Sequence, residues 1–350
     1  MNTNKILIVG ASGTLGQLVC AQVRRLLPNA KLFVGDYQPE RGAATAAQFD
    51  AGFRHTDLDA AGLDPVIADM DLVIVAINQR KPRIQELCVR HGNIFIDVTV
   101  FAESVEEAAA LHENAVQNNA TLVMMAGYFP GLSALLIQET ADSTDSVHVS
   151  LIQSTNALAG GAGIRDMLTL ISNPIRDGNA TRPGFQQKRS IHLNAMYRQF
   201  SVREIGHAER DALARTLGLD VQYYTGWDKP GFTNFIAFLK STGLLKLLLA
   251  RLSAARFSKI VKHNPNQPEN SLLIVEAESA GRKKTVALST FSDYQTTAIT
   301  AVALAKVALQ KIRPGFFFPF QLTSLDELLP LMDEKRILLV TDLSLKRNDN

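Results

Sequence analysis

Gly10, Gly13 and Gly16 stand three residues apart in "VGASGTLGQ", between an apolar run and a segment of helical periodicity. An anion is the natural occupant of such a bend. The first N–H groups of a helix have no partner inside it, and glycine removes the side chains that would hold a ligand off the backbone. The spacing is G-x-x-G-x-x-G, not the dinucleotide fingerprint G-x-G-x-x-G, so the reading rests on the strand before and the helix after. A pyrophosphate is expected there, with Ser12, Thr14 and Leu15 in the same turn. The competing reading is a tight turn that holds nothing.

Further polar residues fall where the apolar runs end. Asp36 comes twenty residues after Gly16, at the place of an acid that accepts hydrogen bonds from the adenosine ribose and repels a 2′-phosphate. A nicotinamide dinucleotide, NAD(P), is therefore expected, with NAD favoured over NADP, although Arg41 stands near enough to accommodate a phosphate. Asp57, in "HTDLD", is placed either to approach the adenine edge or to cap a turn. Ligands of open parallel sheets lie beyond the carboxyl ends of the strands. On that rule Ala76, Asn78 and Thr99 line the cofactor, while Gln79 and Phe129 face the substrate. Asp97 and Tyr128 are the candidates for moving a proton, against plainer roles as an acceptor for a backbone amide and a packing residue.

The elements that must carry these residues are legible as short runs: "ILIV", "KLFV", "FRHTDL", "DLVIVAI", "NIFIDV" and "TLVMM", alternating with helical patterns. Strand and helix in alternation make parallel strands with right-handed crossovers. The fold class expected is α/β: an N-terminal doubly wound parallel-sheet Rossmann domain over 1–140, then a second α+β domain over 141–292 on a mixed or antiparallel sheet. A helix is expected over Leu132–Thr140, and the alternation of "VHVSLIQS" suggests a strand open on one face. "QKRSIHLNAMYRQFSVRE" reads as a long polar segment, and "SLLIVEAESAGRKKTVALST" as two strands joined at Ala280–Gly281. Residues 293–350 are expected to return to the first domain.

In "STNALAGGAGIRDML" a glycine-rich loop precedes a helix, and Arg165 is suited either to a substrate carboxylate or to solvent. His207 has no histidine or cysteine partner at metal-like spacing and reads as a surface or helix-start residue. With no H-E-x-x-H, C-x-x-C or G-x-S-x-G in the chain, no metal is expected and no acyl-transfer nucleophile stands out.

Bulk properties narrow the class. The chain has 350 residues, is 46% hydrophobic and 20% charged, and carries a formal net charge of +2, which does not call for nucleic acid. Its two cysteines lie in helical patterns, which fits a reducing, cytoplasmic setting. No leader and no membrane-spanning run is read. Phe232 to Lys262 is less ordinary, because leucines and phenylalanines alternate with Lys240, Lys246, Arg251, Arg256, Lys259 and Lys262. That pattern suits a helix pair resting on an anionic membrane or lining an apolar tunnel. A dimer interface, or a helix packed into the second domain with its lysines outward, is the preferred reading.

With these residues in view, "ILIVGASGTLGQ", "DLVIVAI" followed by "RIQELCVRHG", "NIFIDVT" and "AVQNNATLVMMAGYFPGLS" resemble the cofactor-binding domain of the saccharopine dehydrogenase-like family. The similarity runs over residues 5–140, and faintly at "DYQTTA" and "RPGFFFPF". It implies a nicotinamide cofactor, a second domain over it, a homodimer, and hydride transfer to or from a small C=N, C=O or C=C substrate. Asp36 departs from the NADP-using members, which place a basic residue near that point. Two other functions stay open at this level: a membrane-surface reductase of a lipid-like substrate, and a dinucleotide-binding sensor or scaffold without chemistry.

Overall fold

Strands form where β-branched and aliphatic residues run together, and helices where apolar residues recur every three or four positions. The computed structural model describes residues 3–59, 62–79, 81–142, 146–177, 180–193, 198–260, 263–279, 282–332 and 337–345. The chain divides into two compact units, Met1–Leu135 with Tyr294–Asp333, and Leu136–Asp293 with Glu334–Asn350.

It opens with β1 (Lys5–Val9), α1 (Thr14–Leu26), β2 (Lys31–Asp36), α2 (Pro39–Gln48), β3 (Gly52–His55) and α3 (Leu63–Ala68). Then come β4 (Leu72–Val75), α4 (Arg83–His91), β5 (Ile94–Asp97), α5 (Ala102–Ala109), α6 (His112–Gln117), β6 (Thr121–Val123) and α7 (Leu132–Thr140). The middle of the chain supplies β7 (Ser146–Gln153), α8 (Gly161–Ser172), β8 (Pro174–Asp177), β9 (Ala180–Pro183), β10 (Lys188–Leu193), β11 (Arg198–Ile205) and α9 (Ala208–Leu217). After these follow β12 (Asp220–Trp227), α10 (Pro230–Ser241), α11 (Leu244–Arg251), α12 (Ala254–Ile260), β13 (Ser271–Ser279) and β14 (Arg282–Thr290). The last elements are α13 (Asp293–Gln310), β15 (Gly315–Phe317), α14 (Pro319–Leu322), α15 (Leu325–Leu328) and β16 (Ile337–Leu345).

The first unit is built on a parallel sheet in the order β15-β6-β5-β4-β1-β2-β3. Ile6, Leu7 and Ile8 are all 0% exposed. Since successive strand side chains point to opposite faces, both faces of the sheet are covered, as in a doubly wound α/β fold. The winding passes from β1 outward to β3, then resumes at β4 on the other side of β1. Strand order therefore reverses between β1 and β4, and a ligand crevice is expected outside their carboxyl ends. On α1 the buried stripe runs through Gly16, Val19, Cys20 and Val23. α13 is buried nearly all round, consistent with its alanine-rich sequence. "RPGFFFPF", for which the sequence reading offered no element, contains β15 on the outer edge of β6.

The second unit holds a mixed sheet in the order β10-β11-β12-β7-β13-β14-β16, in which only β7 and β12 pair in parallel. Three expectations are corrected here. β7 is not open on one face: Val147 and Val149 on one side and Ser150 on the other are all 0% exposed. The long polar segment is the antiparallel pair β10 and β11. Its polarity comes from alternation, with Lys188, Ser190 and His192 exposed while Ile191, Phe200 and Val202 join an apolar cluster, and Arg189, on the same face as Ile191, reaches the buried Glu276 at 2.7 Å. The chain end does not all return to the first unit, because β16 pairs with β14 from Thr290↔Ile337 to Arg282↔Leu345. That pairing uses the backbone groups β14 would otherwise present as an open edge. The turn expected at Ala280–Gly281 lies outside the described residues.

His207 is a helix-start residue but not a surface one. It caps α9, accepting from the Glu209 amide at 3.4 Å, and stacks on Tyr223 at 4.2 Å between ring centroids. Burial pushes its pKa down to about 3. Among the described residues, no single helix is long and apolar enough to cross a membrane.

Candidate functional site

β1 ends at Val9, and the chain turns at Gly10 with φ of 80°, a conformation that side chains disfavour. The Gly10 and Ala11 amides both donate to the Gly35 carbonyl, at 3.0 and 3.3 Å, which ties the turn to the end of β2. Gly13 then donates to the Gly10 carbonyl at 3.0 Å and serves as the N-cap of α1. No side chain caps that helix. The amides of Thr14, Leu15 and Gly16 thus open α1 without partners inside the helix.

The glycines do different work. A Cβ on Gly10 would strike the Ile77 side chain, so this glycine lets the loops after β1 and β4 meet where the strand order reverses. A Cβ on Gly16 would strike the Gly10 carbonyl and lie 2.6 Å from Ala11 Cα, so Gly16 lets the helix close onto the turn. Gly13 is exposed, has no positive φ, and its Cβ would meet only the Gly10 carbonyl at 3.3 Å. What its missing side chain leaves open is the approach to the helix amides. Gly16→Ala is expected to destabilise the protein by about 1–3 kcal/mol through overpacking, read from the urea midpoint.

Asp36 ends β2 and is 2% exposed. Its Oδ1 accepts from the Gln38 amide and from Arg41, each at 2.8 Å, and its Oδ2 accepts from Arg41 Nε at 3.0 Å. Burial pushes its pKa up, but the hydrogen bonds from Arg41, Gln38 and Ser12 outweigh that and hold the carboxyl below the usual range. Arg41 lies over the Tyr37 ring at 5.2 Å, and Thr45 of α2 donates to the Ser12 hydroxyl at 3.0 Å. Glycine turn, acid and arginine therefore form one bonded cluster. Sequence reasoning missed Tyr37 and Thr45, since neither type carries a signal and only the position after a strand end marked Tyr37.

At the ends of β4 and β5, Ala76 donates to the Val9 carbonyl at 3.0 Å, and Gln79 Nε2 lies 3.5 Å from Asp97 Oδ2. The other oxygen of Asp97 accepts from the Thr99 amide at 2.8 Å. Asp97 is 3% exposed, and burial pushes its pKa up to about 7 in spite of those hydrogen bonds. Free aspartate titrates near about 4, so from about pH 4 to 7 the folded chain keeps a proton that the unfolded chain has lost. Stability is expected to fall by up to about 4 kcal/mol as pH rises through that window, and Asp97→Asn to flatten the slope in denaturant titrations at a series of pH values.

Other expected residues are placed differently. Tyr128 and Phe129 are buried at 1% and 8% exposure, in a turn closed by Gly127 donating to the Pro130 carbonyl at 3.1 Å. Asp57 accepts from the Asp59 amide at 3.0 Å, the turn role left open above. Asn78 is exposed after β4, and Thr99 is buried beside Asp97. Arg165 belongs to the second unit, where it donates to the Leu252 carbonyl at 3.4 Å.

No family model and no curated protein matches this sequence. Solved structures do resemble it. Apo histidine-tagged saccharopine dehydrogenase (L-Glu forming) from Saccharomyces cerevisiae is 14% identical, with a TM-score of 0.67 over 97% of this chain and 100% of that one. DAP dehydrogenase from C. glutamicum in complex with DAP is 14% identical, with a TM-score of 0.47 over 94% and 99% of the two chains. An engineered D-amino acid dehydrogenase is 13% identical, with a TM-score of 0.48 over the same shares. The likeness to the yeast enzyme spans both units, and this chain has the fold of saccharopine dehydrogenase.

Proposed function

We propose that this protein is an NAD(P)-dependent oxidoreductase that transfers hydride to or from a small C=N, C=O or C=C substrate. The observation that carries the reading is the uncapped start of α1 behind the exposed Gly13, on the β1 side of the strand-order reversal. The likeness in fold to the yeast saccharopine dehydrogenase supports it.

The fit to a dinucleotide can be followed residue by residue. The amides of Thr14, Leu15 and Gly16 hold the diphosphate, with the positive end of the helix dipole behind them. Asp36 takes the adenosine ribose, and its charge, held on by Arg41, disfavours a 2′-phosphate. NAD is the preferred form on this reading. Ala76 and Asn78 border the crevice on the β4 side. A bound nicotinamide supplies the hydride donor or acceptor.

Asp97 is the proton-handling group of this proposal. Its pKa near 7 suits an acid or base at neutral pH, and Gln79 and the Thr99 amide fix its two oxygens. Tyr128, buried like Asp97, is the second candidate for handling that proton. The test is fluorescence titration with NADH and NADPH, then stopped-flow oxidation of bound NADH against a panel of oxo acids, imines and enones. Saturable NADH binding with turnover of at least one acceptor supports the proposal. Binding without hydride exchange would favour a sensor.

A further inference from the structure

The second unit carries an apolar and cationic face that the cofactor reading does not use. Phe235 and Phe238 on α10 are 52% and 57% exposed, and Leu244 and Leu247 on α11 are 43% and 44% exposed. Thr233 and Ile236 of α10, and Leu245 of α11, are buried. Each helix is therefore fastened along one side and shows large apolar side chains on the other. For these four residues the exposure sets aside one half of the preferred reading, a helix packed into the second domain, and leaves the other half, a dimer interface, to be weighed against a bilayer.

The charges on those helices have one sign. Lys246, Arg251, Arg256 and Lys259 are exposed, and among the described residues none of them pairs with a carboxylate. No Asp or Glu occurs from Lys229 to Pro268. α8, which packs against α11 and α12, brings a single acid, Asp166, beside Arg165. Lys262 lies outside the described residues.

Neither helix crosses a bilayer alone. α10 has 12 residues, a length of about 18 Å against a hydrocarbon layer of about 30 Å, and α11 departs from it at 86° after Gly243. Charge decides between the remaining occupants. A second copy seated on the same face would set the four exposed cations of each chain against those of the other with Asp166 as the one acid that α8 brings from each, and like charges across an interface oppose association. An anionic bilayer complements both features, because phenylalanine and leucine enter the boundary between headgroups and acyl chains while lysine and arginine meet lipid phosphates.

We propose that α10–α12 attach this protein peripherally to an anionic lipid bilayer. The test is flotation of the full chain with vesicles of phosphatidylcholine alone or mixed with phosphatidylglycerol, at low and high salt. The protein is expected to float with the mixed vesicles only, and to be released by salt. Phe235→Ser with Phe238→Ser, and separately Lys246→Glu with Arg251→Glu, are each expected to lower binding about tenfold or more. All four side chains are exposed, and unchanged circular dichroism and NADH affinity would show that the variants remain folded. Absence of flotation by the unaltered protein, or undiminished flotation of either double variant, overturns the proposal. So does a dimer in sedimentation velocity that both double variants break while vesicle binding is absent. NADH titration of the same preparations is a separate readout: its failure counts against the dinucleotide site and leaves the bilayer result to stand by itself.

Discussion

Gly13→Val is expected to weaken NADH binding about a hundredfold while the protein remains folded. Gly13 is exposed at the start of α1, and an added Cβ would meet only the Gly10 carbonyl at 3.3 Å. A branched side chain there stands in front of the Thr14 and Leu15 amides and keeps an anion from reaching them. A hundredfold change in Kd corresponds to about 2.7 kcal/mol, which is the scale of a lost set of charge-assisted hydrogen bonds. Gly16→Ala serves as the contrasting variant, since it acts on packing. Calorimetric titration with NADH, run beside urea denaturation, separates the two: Gly13→Val should lose binding with only a modest fall in midpoint, valine being a poorer N-cap than glycine, and Gly16→Ala should lower the midpoint further.

The second large effect is on the choice of cofactor. Asp36→Ser is expected to reverse the preference, improving NADPH affinity relative to NADH by at least about tenfold. In the native protein a 2′-phosphate would approach a buried carboxylate that stays charged, and juxtaposed like charges cost several kcal/mol. Removing the carboxylate also frees the Arg41 fork, which now gives two nitrogens to Asp36. A guanidinium without that partner is suited to a phosphate. Parallel titrations with NADH and NADPH read the ratio directly. Arg41→Ala in the Asp36→Ser background should remove the gain, which would tie it to the freed arginine.

Much of the first unit was legible because its signals are local. A β-branched run, a glycine turn and an amphipathic stripe each act within a few residues, so β1, α1 and β2 followed from the sequence, and Leu132–Thr140 matched α7 residue for residue. β15 was not legible: three of the four residues between two prolines make a strand only because the edge of β6 offers hydrogen bonds, and that edge is nearly two hundred positions away in the chain. The second sheet failed for a related reason. Arg189 and Glu276 look like surface residues until β10 and β13 are placed in one sheet and the ion pair forms. Asp36 and Arg41 were marked by position, but their mutual pairing depends on where α2 settles. The burial of Tyr128 was not legible either, since it comes from the turn that Gly127 to Gly131 close around it.

The account rests on the start of α1 as an anion site, and a crystal structure of the protein with NADH tests it most directly. The diphosphate is predicted within hydrogen-bond distance of the Thr14 and Leu15 amides, with the adenosine ribose against Asp36. A dinucleotide bound away from this turn, or crystals that take up neither NADH nor NADPH at saturating concentration, would contradict it.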